Sequence, residues 1–267
     1  MQAPAAPADA AEPPPVVTVA RGRDLLVLVD HASNRVPAEF ADLGLPAAQL
    51  ARHIGWDIGA LATAERLAET LDGTLIRTTT SRLVIDPNRG EDDPTLVMRL
   101  ADGAVVRGNA EVDAAEVARR LALWHRPYHA AIEAEIDAAL AEGRVPVLVA
   151  VHSFTPAWKT RPRPWHIGML WDKDPRLALP LVDWFRRDAH LVVGDNEPYD
   201  GALRGDTLHR HGTVRGLPHV LVEVRQDLIA DDAGAAEWGT RLAEALRPLL
   251  ERPDLRRIEH FGSRTDG

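Results

Sequence analysis

Two histidines stand at the ends of two apolar runs, and a glutamate stands inside a third. His31 follows LLVLV (25–29), His152 follows VPVLVAV (145–151), and Glu223 lies within HVLVEV (219–224). Imidazoles at the carboxyl ends of buried strands are placed as metal ligands often are. Taken singly, each position also suits a loop histidine with local hydrogen bonds. A glutamate in an apolar strand must be paired, protonated or facing a polar cavity, because an isolated buried carboxylate is costly. Facing a cavity, it can serve as general base beside a metal-activated water. It can also pair with Arg225, two residues on and so on the same face of a strand.

Asp57 lies in GWDIG, on the apolar stripe of Leu50, Ile54 and Leu61 if residues 46–73 form one helix, with His53 four residues earlier on the same face. It reads as a metal ligand, as the partner of a ligating histidine, or as half of a polar pair with His53. The segment SRLVIDPNRG (81–90) gathers Arg82, Asp86, Asn88 and Arg89. An arginine can hold a carboxylate by two parallel hydrogen bonds with an asparagine beside it, and a second arginine can polarise a carbonyl. The same residues also suit a surface turn. In GDNEPYDG (194–201) Tyr199 can line a pocket. HRHG (209–212) holds a His-x-His pair of a kind that can bind metal, but in a polar loop it reads first as solvated surface, and His129 with Glu133 reads as an exposed helical pair.

These groups need a scaffold that brings strand ends together. Short apolar runs at 16–20, 25–29, 74–78, 145–151, 166–171, 191–194 and 219–224 predict strands. Helical periodicity occupies 46–73, 111–143 (with a kink at Pro127), 175–189 and 235–252. Strands alternating with helices predict a single α/β domain, its mostly parallel mixed sheet flanked by helices, with ligands bound beyond the carboxyl ends of the strands. The domain is expected over 16–255, between a disordered Pro/Ala-rich tail (1–15) and a loose C-terminal tail (256–267).

Composition narrows the chemistry. The 267 residues are 45% hydrophobic and 27% charged, as a chain with a real core requires. There is no cysteine, so thiolate nucleophiles and Cys-held zinc are excluded and any metal must rest on His, Asp or Glu. A net charge of −9 argues against nucleic acid, while local arginines can still bind a small anion. No run is long enough for a membrane span and the N-terminus lacks a secretory pattern, so a cytoplasmic protein is expected. The motifs G-x-S-x-G, G-x-G-x-x-G and H-E-x-x-H and the P-loop are absent.

Together the stretches DHASNRVP, HIGWDIGA, SRLVIDPNR, RPYHAAI, VHSFTP, RPWHIGMLWDKD, GDNEPYDG and RGLPHVLVEVRQDLI resemble the N-formylglutamate amidohydrolase family, in family order over residues 25–240. That family is related to zinc carboxypeptidases and aspartoacylases, so the resemblance implies a zinc-carboxypeptidase-like fold and one Zn2+ ion, other divalent metals remaining open. It implies His31 and His152 as metal ligands and Glu223 as the catalytic glutamate. It further implies Arg82 as the catalytic arginine that polarises the scissile carbonyl, with Asn88 and Arg89 gripping the substrate carboxylate. Tyr199 joins them as a substrate-binding residue from its place in the loop. The relatives carry His-x-x-Glu where this chain has His31-Ala-Ser-Asn34, and an amide oxygen is a poor zinc ligand beside a carboxylate. Asp57 is therefore the expected third ligand. The implied activity is hydrolysis of the amide of a small anionic N-acyl amino acid such as N-formyl-L-glutamate. Alternatives are a related hydrolase with another acyl-amino acid or small peptide as substrate, or a non-catalytic protein binding an anion in the same cleft.

Overall fold

The computed structural model describes residues 12–266. Seven strands form one mixed sheet: β1 (Val16–Val19), β2 (Gly22–Val29), β3 (Gly73–Thr78), β6 (Val147–Phe154), β9 (Ile167–Leu170), β10 (Val193–Asp195) and β11 (His219–Arg225). Their order is β1-β3-β2-β6-β11-β9-β10. Four of the six pairings are parallel; β1 against β3 and β9 against β11 are antiparallel. Two hairpins stand apart from the sheet, β4 (Leu100–Ala101) with β5 (Ala104–Val105) and β7 (Ala157–Trp158) with β8 (Arg161–Pro162).

The central strands are buried on both faces, which is why they read as unbroken apolar runs. Val27, Val149 and Val222 face one cluster with α2 (Ala60–Leu71), α5 (Pro175–Phe185) and α6 (Asp232–Leu250). Leu26, Leu28, Leu148 and Leu221 face the other side, against Tyr128, Ile132 and Ile136 of α4 (Arg126–Ala141). The result is a single α/β domain of three layers. Its carboxyl strand ends in β2, β6 and β11 lie side by side at the centre.

The helix expected over 46–73 is broken. Only α1 (Ala47–Leu50) and α2 are helical, and residues 51–59 form turns. Gly59 explains the break: its φ is +78°, and a Cβ there would stand 2.0 Å from the carbonyl oxygen of Ile229. Asp57 and His53 therefore do not share a helix face. The long helix expected over 111–143 is instead α3 (Ala114–Arg120), a π-helical turn (Leu121–His125) and α4, with Pro127 in the first turn of α4. The wide turn takes up the irregularity that a proline imposes and turns Trp124 and His125 inward.

Of the expected N-terminal tail, residues 1–11 lie outside the described ones. The carbonyl of Pro14 accepts from Thr79 Oγ1 at 2.6 Å and that of Pro15 from Thr79 N at 3.3 Å. In the stretch expected as a loose C-terminal tail, the described residues make some contacts with the domain. Ser263 is buried, and Arg264 donates to Asp172, Asp200 and the carbonyl of Trp171.

Candidate active site

Because β2, β6 and β11 are parallel neighbours, their ends deliver His31, His152 and Glu223 to one place. Glu223 and His152 are paired in the β11–β6 register. Asp57 arrives from the broken helix, and its loop is stapled on several sides. Asp57 N donates to His31 O (3.0 Å), Ser81 Oγ to Gly55 O (2.8 Å) and Ser153 Oγ to Ile58 O (2.8 Å). One ligand atom each from His31, Asp57 and His152 lie within 4.8 Å of one another, and all three residues are buried.

Each imidazole is held between two carboxylates. Asp57 Oδ2 faces the Nδ1 atoms of His31 (3.2 Å) and His152 (2.8 Å). On the far sides, His31 Nε2 meets Asp86 Oδ1 at 2.7 Å and His152 Nε2 meets Asp30 Oδ2 at 2.8 Å. A carboxylate behind the distal nitrogen fixes ring orientation and leaves the near nitrogen aimed at a shared point, as second partners of metal-binding histidines do. The donor set of two Nδ1 atoms and one carboxylate, with nothing softer, suits a zinc-type divalent cation. Burial alone would push the Asp57 carboxyl up, but the His31 and His152 rings outweigh it and hold Asp57 far below the carboxylate range. Burial works in the opposite direction on His152, yet Asp30 and Asp57 raise it well above an ordinary imidazole.

Asn34, at the position where the relatives carry a ligand carboxylate, does not line the cavity; its Nδ2 donates to Leu50 O at 3.3 Å. His53 lines the cavity near Asp102 (3.4 Å) rather than pairing with Asp57.

Glu223 is buried, and its Oε2 has no hydrogen-bond partner. Arg225 does not pair with it; that guanidinium donates to Asp227 at 2.7 Å. Desolvation pushes the Glu223 carboxyl up to about 8, with Asp57 adding to the rise and His152 and Arg82 opposing it. Arg82 donates to Asp86 Oδ2 at 2.8 Å and approaches Asp57 Oδ1 at 3.5 Å.

Asn88 accepts from Thr207 N at 3.1 Å through its Oδ1, which leaves its amide hydrogens free for a ligand. Arg89 donates to Thr95 Oγ1 and to the carbonyl of Asn88. Tyr199, half-exposed, accepts from Arg163 at 3.0 Å through its hydroxyl. His31, Asp57, Arg82, Asn88, Arg89, His152, Tyr199 and Glu223 line a single cavity of about 300 Å3.

Several supporting residues escape a reading of the sequence. Asp30 takes the hydroxyl of Thr207 at 2.5 Å on the oxygen that His152 does not use. His129 and His125 bond the carbonyls of Pro87 (3.1 Å) and Arg89 (2.9 Å), one on each side of Asn88. His211 lies 2.8 Å from His129, so His129 and the His211-Gly212 half of HRHG are interior rather than the exposed groups expected, while His209 and Arg210 stay partly exposed. The sequence signal was weak: His129 stands two residues after Pro127 in a helical pattern, and HRHG reads as loop.

A crystal structure of a gene product from Agrobacterium tumefaciens is similar to this chain at 36% identity and a TM-score of 0.84, covering 89% of this chain and 95% of that one. An N-formylglutamate amidohydrolase from Ralstonia eutropha JMP134 shares the fold at 22% identity and a TM-score of 0.59, covering 88% of this chain and 98% of that one. No curated protein matches the sequence. No helix among the described residues is long and apolar enough to cross a membrane. The model of the N-formylglutamate amidohydrolase family matches residues 23–230. That match spans most of the chain, and the protein belongs to the N-formylglutamate amidohydrolase family, enzymes that hydrolyse an amide C–N bond.

Proposed function

We propose that the protein is a zinc-dependent hydrolase of N-acyl amino acids, with N-formyl-L-glutamate the substrate that the family name suggests. The observation that carries this reading is the unpartnered Glu223 carboxyl, buried beside three side chains able to hold a divalent cation. His31, Asp57 and His152 would hold the ion, which when bound supplies a Lewis acid that acidifies water and polarises a carbonyl.

Glu223 takes the proton of the attacking water and later gives it to the amine as the C–N bond breaks, yielding a carboxylic acid and a free amino group. A group pushed up to about 8 can both accept and return a proton near neutral pH. Arg82, anchored by Asp86, presents fixed positive charge to the oxygen on which negative charge develops. Arg89 and the free amide hydrogens of Asn88 hold the substrate carboxylate and so place the amide beside Glu223. Tyr199 closes the outer wall.

The test compares zinc-loaded, chelator-treated and Glu223→Gln protein on N-formyl-L-amino acids. Turnover should require metal, and Glu223→Gln should lower kcat by about 1000-fold with zinc still bound. Turnover that persists after metal removal would sink the zinc requirement. Near-normal turnover in Glu223→Gln would move the proton transfer to another group.

A further inference from the structure

The cavity does not end at Glu223. Along β11 the side chains of His219, Leu221 and Glu223 share one face by the two-residue period of a strand, and all three line the cavity. Four residues of strand carry this wall about 13 Å away from Glu223. Leu170, opposite Leu221 in the register, and Leu208 make the walls of this arm apolar. Thr213 and His219 form its end.

The hydrogen bonds at that end fix its polarity. His219 Nδ1 lies 2.7 Å from the carbonyl oxygen of Leu217, so the ring proton sits on Nδ1. Nε2 is then an acceptor and takes the Thr213 hydroxyl proton at 3.1 Å. Burial holds the His219 imidazole below its ordinary range, which keeps the ring neutral. The end of the arm thus shows a substrate the lone pairs of Thr213 Oγ1 and no free N–H. The two arginines of the cavity have their places in the hydrolase reading, Arg82 beside Asp86 at the scissile carbonyl and Arg89 beside Asn88 at the carboxylate on the substrate Cα, so neither is left for a side-chain carboxylate. Outside the metal-ligand cluster, the other titratable groups lining the cavity are the carboxyls of Asp200 and Asp206, the imidazoles of His53 and His209 and the Tyr199 hydroxyl.

We infer that this arm is the side-chain subsite, and that it selects a neutral side chain ending in a hydrogen-bond donor over the acidic side chain of glutamate. The inference rests on the hydrolase reading above and narrows its substrate. A carboxylate tip would face acceptor lone pairs and leave its charge unpaired among leucines. An amide tip donates to Thr213 instead.

N-formyl-L-glutamine and N-formyl-L-glutamate have the same shape and isolate this difference. At pH 8, where free imidazoles are neutral, kcat/KM for the glutamine substrate should exceed that for glutamate at least about tenfold. Thr213→Val should lower the preference for N-formyl-L-glutamine over N-formyl-L-methionine about tenfold. Calorimetric titration of both formyl amino acids into Glu223→Gln protein gives a readout without turnover, and the glutamine form should bind more tightly. Equal or better use of glutamate, or equal or tighter binding of it, overturns the inference. Tighter glutamine binding with no hydrolysis of any formyl amino acid would refute the hydrolase reading and support the subsite.

Discussion

Zinc affinity should rise steeply between pH 6 and 8, because the metal-free site keeps a proton where the cation must bind. His152 Nδ1 lies 2.8 Å from Asp57 and its Nε2 lies 2.8 Å from Asp30, and these carboxylates outweigh burial and raise the ring well above an ordinary imidazole. Binding a cation on Nδ1 expels that proton. Below the raised pKa, each pH unit should therefore strengthen binding about tenfold, about 1.4 kcal/mol per proton displaced. The linkage has a definite sign. A raised imidazole stabilises the metal-free fold below about pH 6.5, and that stability is lost as pH climbs through the folded pKa. The rise in Tm on adding zinc should accordingly widen from pH 6 to pH 8. Competition with a chromophoric chelator at pH 6, 7 and 8 measures the slope directly. Asp30→Asn removes the carboxylate behind Nε2, so it should flatten the slope and weaken binding at pH 8 about 10- to 100-fold. Affinity independent of pH, or a slope unchanged in Asp30→Asn, would refute the reasoning.

Asp57→Asn should reduce zinc bound at equilibrium to a small fraction, whereas Asn34→Ala should keep full stoichiometry, because Asn34 bonds Leu50 O outside the cavity; metal analysis after dialysis decides, and the reverse pattern would return the ligand role to position 34. His129→Phe removes the bond to Pro87 O on one side of Asn88. It should raise KM for formyl amino acids about tenfold with a smaller change in kcat, since the carboxylate grip is loosened and the proton-transfer groups are not. An effect on kcat alone would place His129 elsewhere in the reaction. His211 is buried and held down to about 3, so its unfolded form takes a proton from about pH 6.5 downward and the folded form does not. Stability should fall by about 1.4 kcal/mol per pH unit from this residue as acid is added. Denaturant unfolding at pH 7, 5 and 4 should show His211→Gln losing less than the parent, and equal losses would remove His211 from the account.

What the sequence shows and hides follows from the range of each interaction. Strands buried on both faces appear as apolar runs, so the runs at 25–29, 145–151 and 219–224 mark β2, β6 and β11, and with them the neighbourhood of His31, His152 and Glu223. The place of Asp57 was less legible. Its apolar neighbours have helical spacing, and the helix fails because a carbonyl from Ile229, far away in sequence, occupies the space a Cβ at position 59 would need. Periodicity cannot register a contact of that kind. HRHG and RPYH hid for a similar reason. Each is polar enough to read as surface, and only the packing of α4 under the 86–89 loop makes His129 and His211 interior.

Asn34 shows why the family pattern had to be read through geometry. Counted along the chain, it holds the place of a ligand. In space Asn34 bonds Leu50 O, and it is Asp57, from the loop before α2, that stands with His31 and His152 as a group able to hold a metal ion. With Asp30 and Asp86 behind the two imidazoles, three carboxylates face two histidines and Arg82. A glutamate at position 34 brought into the same shell would add a fourth negative charge that nothing in this cluster balances. Asn34→Glu should therefore leave the metal site no stronger, and a clear gain in zinc affinity in that variant would show that the charge balance has been read wrongly.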